Sequence, residues 1–172
     1  MSRLDDTPAE RPSVRRRETP IKIVSGGQTG ADRAALDWAI EHGLEHGGWC
    51  PLGRKAEDGA IPARYQLEET PTDRWEQRTE WNVRDSDGTA IFTIAEVLTG
   101  GSLTTVEFAR VFGRPCLHVS RRVDGELASA KLQQFVSDHG IRVLNVAGPR
   151  ASGEPGVGEF VRTTLETAFR TS

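Results

Sequence analysis

The sequence predicts one α/β domain in which helices cover both faces of a parallel sheet of about five strands, a three-layer sandwich. After residue 20, short β-rich runs alternate with helical patterns, as in consecutive βαβ units. Right-handed crossovers between parallel strands then place helices on both faces of the sheet. The length of 172 residues fits a single ordinary domain over residues 21–172. We expect the strand order 2-1-3-4-5.

The elements follow from these patterns in chain order. The expected strands cover residues 21–25, 48–51, 89–94, 115–120 and 142–147, and the expected helices cover residues 31–42, 74–83, 104–112, 126–139 and 157–169. The first helix carries Ala31, Ala35, Trp38 and Ala39 on one face, as a helix packed on a sheet requires. The segment 52–72 is rich in Gly and Pro and is long for a loop in a compact domain, so we expect a lid or a partner surface there.

Composition excludes several classes of protein. Hydrophobic residues make up 36% and charged residues 27% of the chain, which is typical of a folded globular protein. No apolar run is long enough to span a membrane, and the first residues lack the apolar core of a secretory signal, so we expect a cytoplasmic protein without a membrane partner. The net charge of −3 gives no overall field for coating a nucleic acid.

The cysteines and histidines show no metal or disulfide pattern. Cys50 and Cys116 are too few for a disulfide framework and too isolated for a zinc knuckle, so both are expected to be reduced thiols. The four histidines lack ligand-like spacing. We therefore predict no bound structural metal.

Residues 1–20 are expected to form a disordered tail. They contain three prolines, five arginines and four acidic residues with almost no apolar side chains. The arginines at 15–17 have the charge to touch a polyanion, but acids flank them on both sides. A solvated tail is therefore the favoured interpretation.

A glycine-rich turn over residues 25–33 follows the first strand and opens the first helix. Its glycines allow positive φ and close approach to a ligand, and the helix N-terminus adds unpaired N–H groups that suit an oxyanion. The spacing is neither that of a P-loop nor G-x-G-x-x-G. The candidate ligand-binding residues in this turn are Gly26, Gly27, Gln28, Thr29, Gly30, Asp32 and Arg33. Asp32 is either a ligand contact or the capping-box partner of Thr29.

A second turn of the same kind follows the third strand. If the first and third strands are neighbours, the two helix N-termini point into one cleft and their dipoles act on the same anion. The candidates in this turn are Gly100, Gly101, Ser102, Thr104, Thr105 and Glu107. Thr104 and Glu107 also have capping-box spacing, which leaves a structural role for Glu107 open.

Two further segments are expected near the same rim of the sheet. Asp85, Ser86 and Asp87 precede the third strand, where a role in turning the chain is the alternative. Arg150 follows the fifth strand beside Gly148 and could bind an oxyanion with its guanidinium, or form a surface ion pair.

Four segments together resemble the putative molybdenum carrier family. They are residues 25–33, 78–89, 99–101 and 145–150, and the resemblance extends over about residues 21–170. It implies a Rossmann-like fold, relatives that bind the molybdenum cofactor as oligomers, and kinship with lysine-decarboxylase-like nucleotide-binding proteins.

That wider group includes phosphoribohydrolases with the motif Pro-Gly-Gly-x-Gly-Thr-x-x-Glu. Here Gly100, Gly101, Thr104 and Glu107 match the motif, whereas Thr99 replaces its proline and Leu103 its third glycine. The added side chain at Leu103 weakens the case for hydrolase activity, because it stands where backbone would contact phosphate.

The sequence thus favours a binding or carrier protein for a phosphate-bearing heterocycle, with the molybdenum cofactor as the named candidate. The alternatives are a nucleoside-monophosphate N-glycoside hydrolase that uses Glu107, and a nucleotide-type ligand sensor that signals through 52–72. We also expect a homo-oligomer, a dimer or tetramer, because 52–72 with Trp75 and Trp81 offers an apolar surface.

Overall fold

The computed structural model describes residues 19–170 and confirms an α/β, Rossmann-like fold with a five-stranded parallel sheet. Residues 1–18 of the expected tail, including the arginines at 15–17, lie outside the described residues. In chain order the strands are β1 Lys22–Val24, β2 Glu45–Gly47, β3 Trp49–Cys50, β4 Lys55–Ala56, β5 Gly59–Ala60, β6 Glu68–Glu69, β7 Gly88–Thr93, β8 Cys116–Ser120 and β9 Val143–Ala147. The helices are α1 Ala31–Glu41, α2 Trp75–Arg84, α3 Gly101–Phe112, α4 Arg121–Asp124, α5 Ala128–His139 and α6 Val157–Phe169.

The order of strands in the main sheet is β2-β1-β9-β7-β8. β9 pairs in parallel with β1, where Leu144 faces Ile23, and with β7, where Val146 faces Ala90. Counted along the chain, the five sheet strands therefore lie in the order 2-1-5-3-4. The expected pairs of first with second strand and of third with fourth strand are formed, but the last strand separates the first strand from the third.

The observed order has a simple relation to the doubly wound Rossmann fold. If β9 is counted first and the other four strands follow in chain order, the sheet reads 3-2-1-4-5, which is the Rossmann order. The chain thus has the connectivity of a Rossmann sheet whose first strand has moved to the C-terminal end of the sequence. The switch point, where strand order reverses, lies between β9 and β7.

The segment after the second strand forms an ordered subdomain beside the main sheet. The second sheet strand is β2, which ends before the expected range 48–51; at Gly48 the backbone has φ +122° and the chain leaves the sheet. β3 then pairs with β6, and β4 and β5 form an antiparallel hairpin. The subdomain has its own small core of Leu36, Cys50, Ile61 and Tyr65.

The main core lies between the sheet and the helices α1, α5 and α6. Phe92 and Phe160 pack edge to face with ring centroids 5.8 Å apart, and Leu132, Leu144 and Leu165 are fully buried beside them. These three helices form one layer, because α6 packs against both α1 and α5, whereas α2 and α3 pack against each other and α3 against β7. Of the helices within residues 19–170, none is long and apolar enough to cross a membrane.

Close backbone contact at the switch point gives a first prediction. A methyl group at Gly148, which follows β9, would overlap the carbonyl oxygen of Phe92 in β7 and come within 2.7 Å of the Ala31 Cβ. Because backbone cannot move aside as a side chain can, Gly148→Ala should lower the free energy of unfolding by about 2–3 kcal/mol.

Gly158 in α6 supplies the matched control. A methyl group there would meet only the Ala34 Cβ and the Gly30 carbonyl oxygen at 3.5 Å, an ordinary contact distance. Gly158→Ala should be neutral or stabilise the protein by up to about 1 kcal/mol, because Ala favours helix. Urea unfolding of both variants measures the difference; equal stabilities would contradict the close approach of β9 to β7.

Candidate functional site

A cleft of about 590 Å³ opens at the switch point, beyond the carboxyl ends of β7 and β9. This is where ligands bind in open parallel α/β sheets. Its walls come from the loops after β1, β7 and β9 and from one side of α2. The lining residues are Gly26, Gln28, Asp32, Trp75, Arg78, Thr79, Asn82, Thr93, Val97, Thr99, Gly100, Gly101, Ser102, Thr105, Asn145, Val146, Ala147, Gly148, Pro149, Arg150, Gly153 and Glu154.

The N-terminus of α3 points its first residues into this cleft. Gly100 precedes the helix with φ +51°, a conformation that favours glycine, and Gly101 is the first helical residue. Among residues 19–170, the backbone N–H groups of Gly100 and Gly101 donate no hydrogen bond, whereas Ser102 donates to the Thr99 carbonyl. Two free donors at a helix N-terminus form an arrangement that favours an anion.

The turn after β1 is different, because its donors are used within the protein. The Gln28 N–H donates to the Asp32 carboxylate at 3.2 Å, and the Thr29 N–H donates to the Gln28 side-chain oxygen at 3.0 Å. The Ala31 N–H reaches the Pro149 carbonyl at 3.4 Å. The expected cradle of unpaired N–H groups is therefore absent at these three positions.

Asp32 and Arg78 form the charged centre of the cleft. Asp32 is only 7% exposed, and burial raises its pKa to about 6 although the positive charge of Arg78 opposes the increase. The Arg78 guanidinium donates to the Gly26 carbonyl at 3.0 Å. Any side chain at Gly26 would collide with Arg78, whose Cδ lies 2.7 Å from the position of a Cβ there. The glycine therefore makes room for an arginine from the neighbouring helix.

Two capping-box interpretations are wrong. The residue before α1 is Gly30, no side chain caps that helix, and Asp32 accepts from Gln28 rather than pairing with Thr29. α3 begins at Gly101, three residues earlier than predicted, so Thr104 lies inside its first turn. A two-glycine entry replaces the side-chain cap that the spacing predicted.

The outer rim of the cleft combines an aromatic ring with a flexible cation. Trp75 opens α2, is 43% exposed and lies against the α3 N-terminus, with its ring 3.5 Å from the position of a Gly101 Cβ. Arg150 follows β9 and is mostly exposed. On the floor, Asn145 in β9 donates to the Thr89 hydroxyl at 3.1 Å, which ties β9 to β7 directly beneath the opening.

Several predicted residues of the first turn do not line the cleft. Gly27 faces Leu67 and Ile61, so a side chain there would disturb the small core rather than a ligand. The Arg33 guanidinium forms two hydrogen bonds with the Asp58 carboxylate and a third with the Gly27 carbonyl. Thr29 and Gly30 also do not line the cleft but contact the loop after β9.

Asp85, Ser86 and Asp87 lie at the opposite end of the sheet. The Asp87 carboxylate accepts from the N–H groups of residues 142 and 143 at the start of β9, and Asp85 accepts from the Trp49 indole at 2.9 Å. The Ser86 hydroxyl donates to the Val83 carbonyl. All three turn the chain into β7, the alternative that the sequence left open.

Glu107 also lies outside the cleft. Its side chain is 59% exposed on α3 and pairs with Arg110, one turn along the same helix. Thr104 does not line the cleft either, whereas Ser102 and Thr105 do. The motif match at Glu107 thus does not bring a carboxylate to the site.

The sequence interpretation missed the contribution of α2. Trp75, Arg78, Thr79 and Asn82 line the cleft, and Glu154 does so from the loop after β9. Arg78 and Asn82 lie within the segment 78–89 that carries the family resemblance, so a signal was present. Their helical spacing of four residues places both on one face. Within residues 19–170, no group of three or more His, Cys, Asp or Glu side chains is arranged to hold a metal ion.

Comparisons with known proteins agree with this architecture. The model of the circularly permutated YpsA SLOG family matches residues 23–169. Among solved structures, the chain is similar to a putative molybdenum carrier protein from Syntrophus aciditrophicus SB, with 48% sequence identity and a TM-score of 0.84. The similarity covers 87% of this chain and 95% of that chain. No curated protein matches the sequence.

The buried carboxyl of Asp32 predicts a specific pH dependence of stability. Its pKa rises from 3.8 to about 6 on folding, so the folded protein binds this proton more tightly and loses stability as pH rises between about 4 and 6. The Asp32→Asn variant lacks this loss. The difference in free energy of unfolding, variant minus wild type, should therefore increase by up to about 3 kcal/mol from pH 4 to pH 6.5.

Urea unfolding of both proteins across this pH range measures the difference. Other titrating groups contribute equally to both curves and cancel. A difference that is flat, or that falls with rising pH, would contradict the buried position of Asp32.

Proposed function

Because the chain belongs to the circularly permutated YpsA SLOG family, we propose that it is a carrier that binds a small phosphate-bearing heterocycle in the cleft at the switch point. The molybdenum cofactor is the named candidate. The name of the similar protein from Syntrophus aciditrophicus, a putative molybdenum carrier, supports this choice of ligand.

The observation that carries the proposal is the free N-terminus of α3 beside an exposed indole ring. The unpaired N–H groups of Gly100 and Gly101 suit a phosphate, and Trp75 lies within contact distance of the same turn. A phosphate attached to a flat ring system satisfies both features at once, because aromatic rings favour stacked or edge-on contacts with other ring systems.

The charges of the cleft fit an anionic ligand that also donates hydrogen bonds. Arg78 and Arg150 contribute positive charge at its wall and rim. Asp32 is the buried acceptor of the cleft, and a ring N–H of a heterocycle is the kind of donor that it would accept. In this assignment Asp32 orients the ring, while the α3 N-terminus holds the phosphate.

The hydrolase alternative is less well supported. It requires a carboxylate near the glycosidic bond, and the residue that the motif assigns to this role, Glu107, is bound to Arg110 on the outer surface. No contact within residues 19–170 favours a sensor that signals through 52–72. The carrier is therefore the function that we put to the test.

The test is binding of the molybdenum cofactor to the purified protein under anaerobic conditions. We expect saturable binding, which is monitored by tryptophan fluorescence. We also expect the bound cofactor to be oxidised more slowly than the free cofactor. Absence of saturable binding at micromolar concentrations would reject the cofactor. Release of ribose 5-phosphate from a panel of nucleoside monophosphates would instead support the hydrolase.

Removing the ring of Trp75 should weaken this binding. Trp75→Ala deletes the exposed aromatic surface, and we expect about a tenfold loss of affinity, equivalent to about 1.4 kcal/mol. Leu103→Ala is the matched control, because Leu103 is a similarly exposed apolar residue of α3 that does not line the cleft. Equal affinities of the two variants in isothermal titration calorimetry would remove Trp75 from the site.

A further inference from the structure

The hairpin formed by β4 and β5 carries an acidic tip that reaches across to the walls of the cleft. Glu57 and Asp58 form this tip. The Glu57 side chain is only 21% exposed although it stands on an exposed turn. Asp58 pairs with Arg33 on the other side of the tip. The position of Glu57 therefore depends on what its carboxylate contacts.

The Glu57 carboxylate is surrounded by donors from two separate loops. One oxygen accepts from the Thr29 hydroxyl and from the Ser152 N–H at 3.2 Å. The other accepts from the Ser152 hydroxyl at 2.5 Å and lies 3.7 Å from the Arg150 guanidinium. Two hydroxyls, one backbone N–H and one guanidinium around two oxygens are the partners that a phosphate or carboxylate group requires.

We propose that Thr29, Arg150 and Ser152 form an oxyanion subsite next to the cleft, which Glu57 occupies as an internal stand-in until an anionic group of the ligand replaces it. The subsite adjoins the cleft, because Arg150 belongs to the subsite and also lines the cleft. Gln28, which precedes Thr29 in the chain, lines the cleft as well. This inference extends the proposed function and rests on it, because the ligand is taken to enter the subsite from the cleft.

The construction of the hairpin allows the exchange. Each strand has only two residues, and the tip is fixed to the body by the contacts of Glu57 and Asp58 and by the Glu57 N–H, which donates to the Gln28 side chain at 3.0 Å. The base is held independently, because the Arg54 guanidinium donates to the carbonyls of Ile61, Pro62, Tyr65 and Leu67. A two-stranded hairpin is marginally stable alone, so the tip can move while its base remains in place.

The charge on Glu57 makes it a true competitor for an anion. The hydrogen bonds from Ser152 and Thr29 hold the pKa of Glu57 below its ordinary value, so the group is a carboxylate at neutral pH. A ligand anion then binds only in the fraction of molecules in which Glu57 has left the subsite. Neutralising Glu57 should therefore raise the apparent affinity for oxyanions at this position.

The test is a titration of the ¹⁵N-labelled full chain with inorganic phosphate at constant ionic strength, followed by the amide signal of Ser152. In Glu57→Gln, we expect the Ser152 signal to saturate at a phosphate concentration at least about tenfold lower than in the wild type. Glu57→Ala should also lower the phosphate concentration at which the Ser152 signal saturates, so the result does not depend on a single variant. Adding Ser152→Ala to Glu57→Gln removes the hydroxyl donor and should abolish most of the gain.

Glu68→Gln controls for net charge, because Glu68 is an exposed acid on β6 whose side chain forms no hydrogen bond or ion pair among residues 19–170. A Ser152 signal that saturates at the same phosphate concentration in wild type and Glu57→Gln overturns the inference, as does an equal gain in Glu68→Gln. The Gly101 amide, followed in the same titration, reports the α3 N-terminus. If phosphate shifts the Gly101 signal but not the Ser152 signal, only the subsite is rejected. If phosphate shifts the Ser152 signal but not the Gly101 signal, the phosphate position at the α3 N-terminus in the proposed function is rejected.

Discussion

The parallel pairing of β9 with both β1 and β7 is the constraint on which the rest of the molecule depends. Asn145 lies opposite Val24 on one side and Thr89 on the other, and its side chain bonds to Thr89. Since β9 occupies the centre of the sheet, the loops that follow β1, β7 and β9 end at the same edge. The cleft, the free α3 N-terminus and the Glu57 contacts all lie where these loops meet.

Helices and strands could largely be predicted from the sequence, but their neighbours in the sheet could not. Periodicity reports which residues face a core, and the predicted closing helix 157–169 coincides with α6. It carries no information on which strand pairs with which, because β7 and β9 have similar buried patterns. The central position of β9 arises from contacts between residues more than 50 positions apart, such as Gly88 with Leu144.

Site residues in the loops that directly follow strands could be predicted from the sequence, whereas residues that reach the cleft from other elements could not. Gly100, Gly101 and Ser102 line the cleft because they follow β7, whereas Asp87 precedes the same strand and therefore lies at the far end of the sheet. Arg78 reaches the cleft from α2 across a glycine, and local sequence patterns do not report such contacts. Similarly, the spacing of Thr29 and Asp32 fits a cap, yet burial and the Gln28 N–H determine what Asp32 does.

Anion binding in the cleft can be observed directly in a crystal structure of the protein soaked with tungstate, whose anomalous scattering marks the bound oxyanion. If the cleft at the switch point is an anion site built on the N-terminus of α3, an anomalous peak for tungsten appears there. The oxygens of the tungstate ion should then lie within hydrogen-bonding distance, about 3 Å, of the Gly100 and Gly101 N–H groups. Tungstate bound only outside the cleft, with these two groups left unpaired, would contradict an anion site at this position.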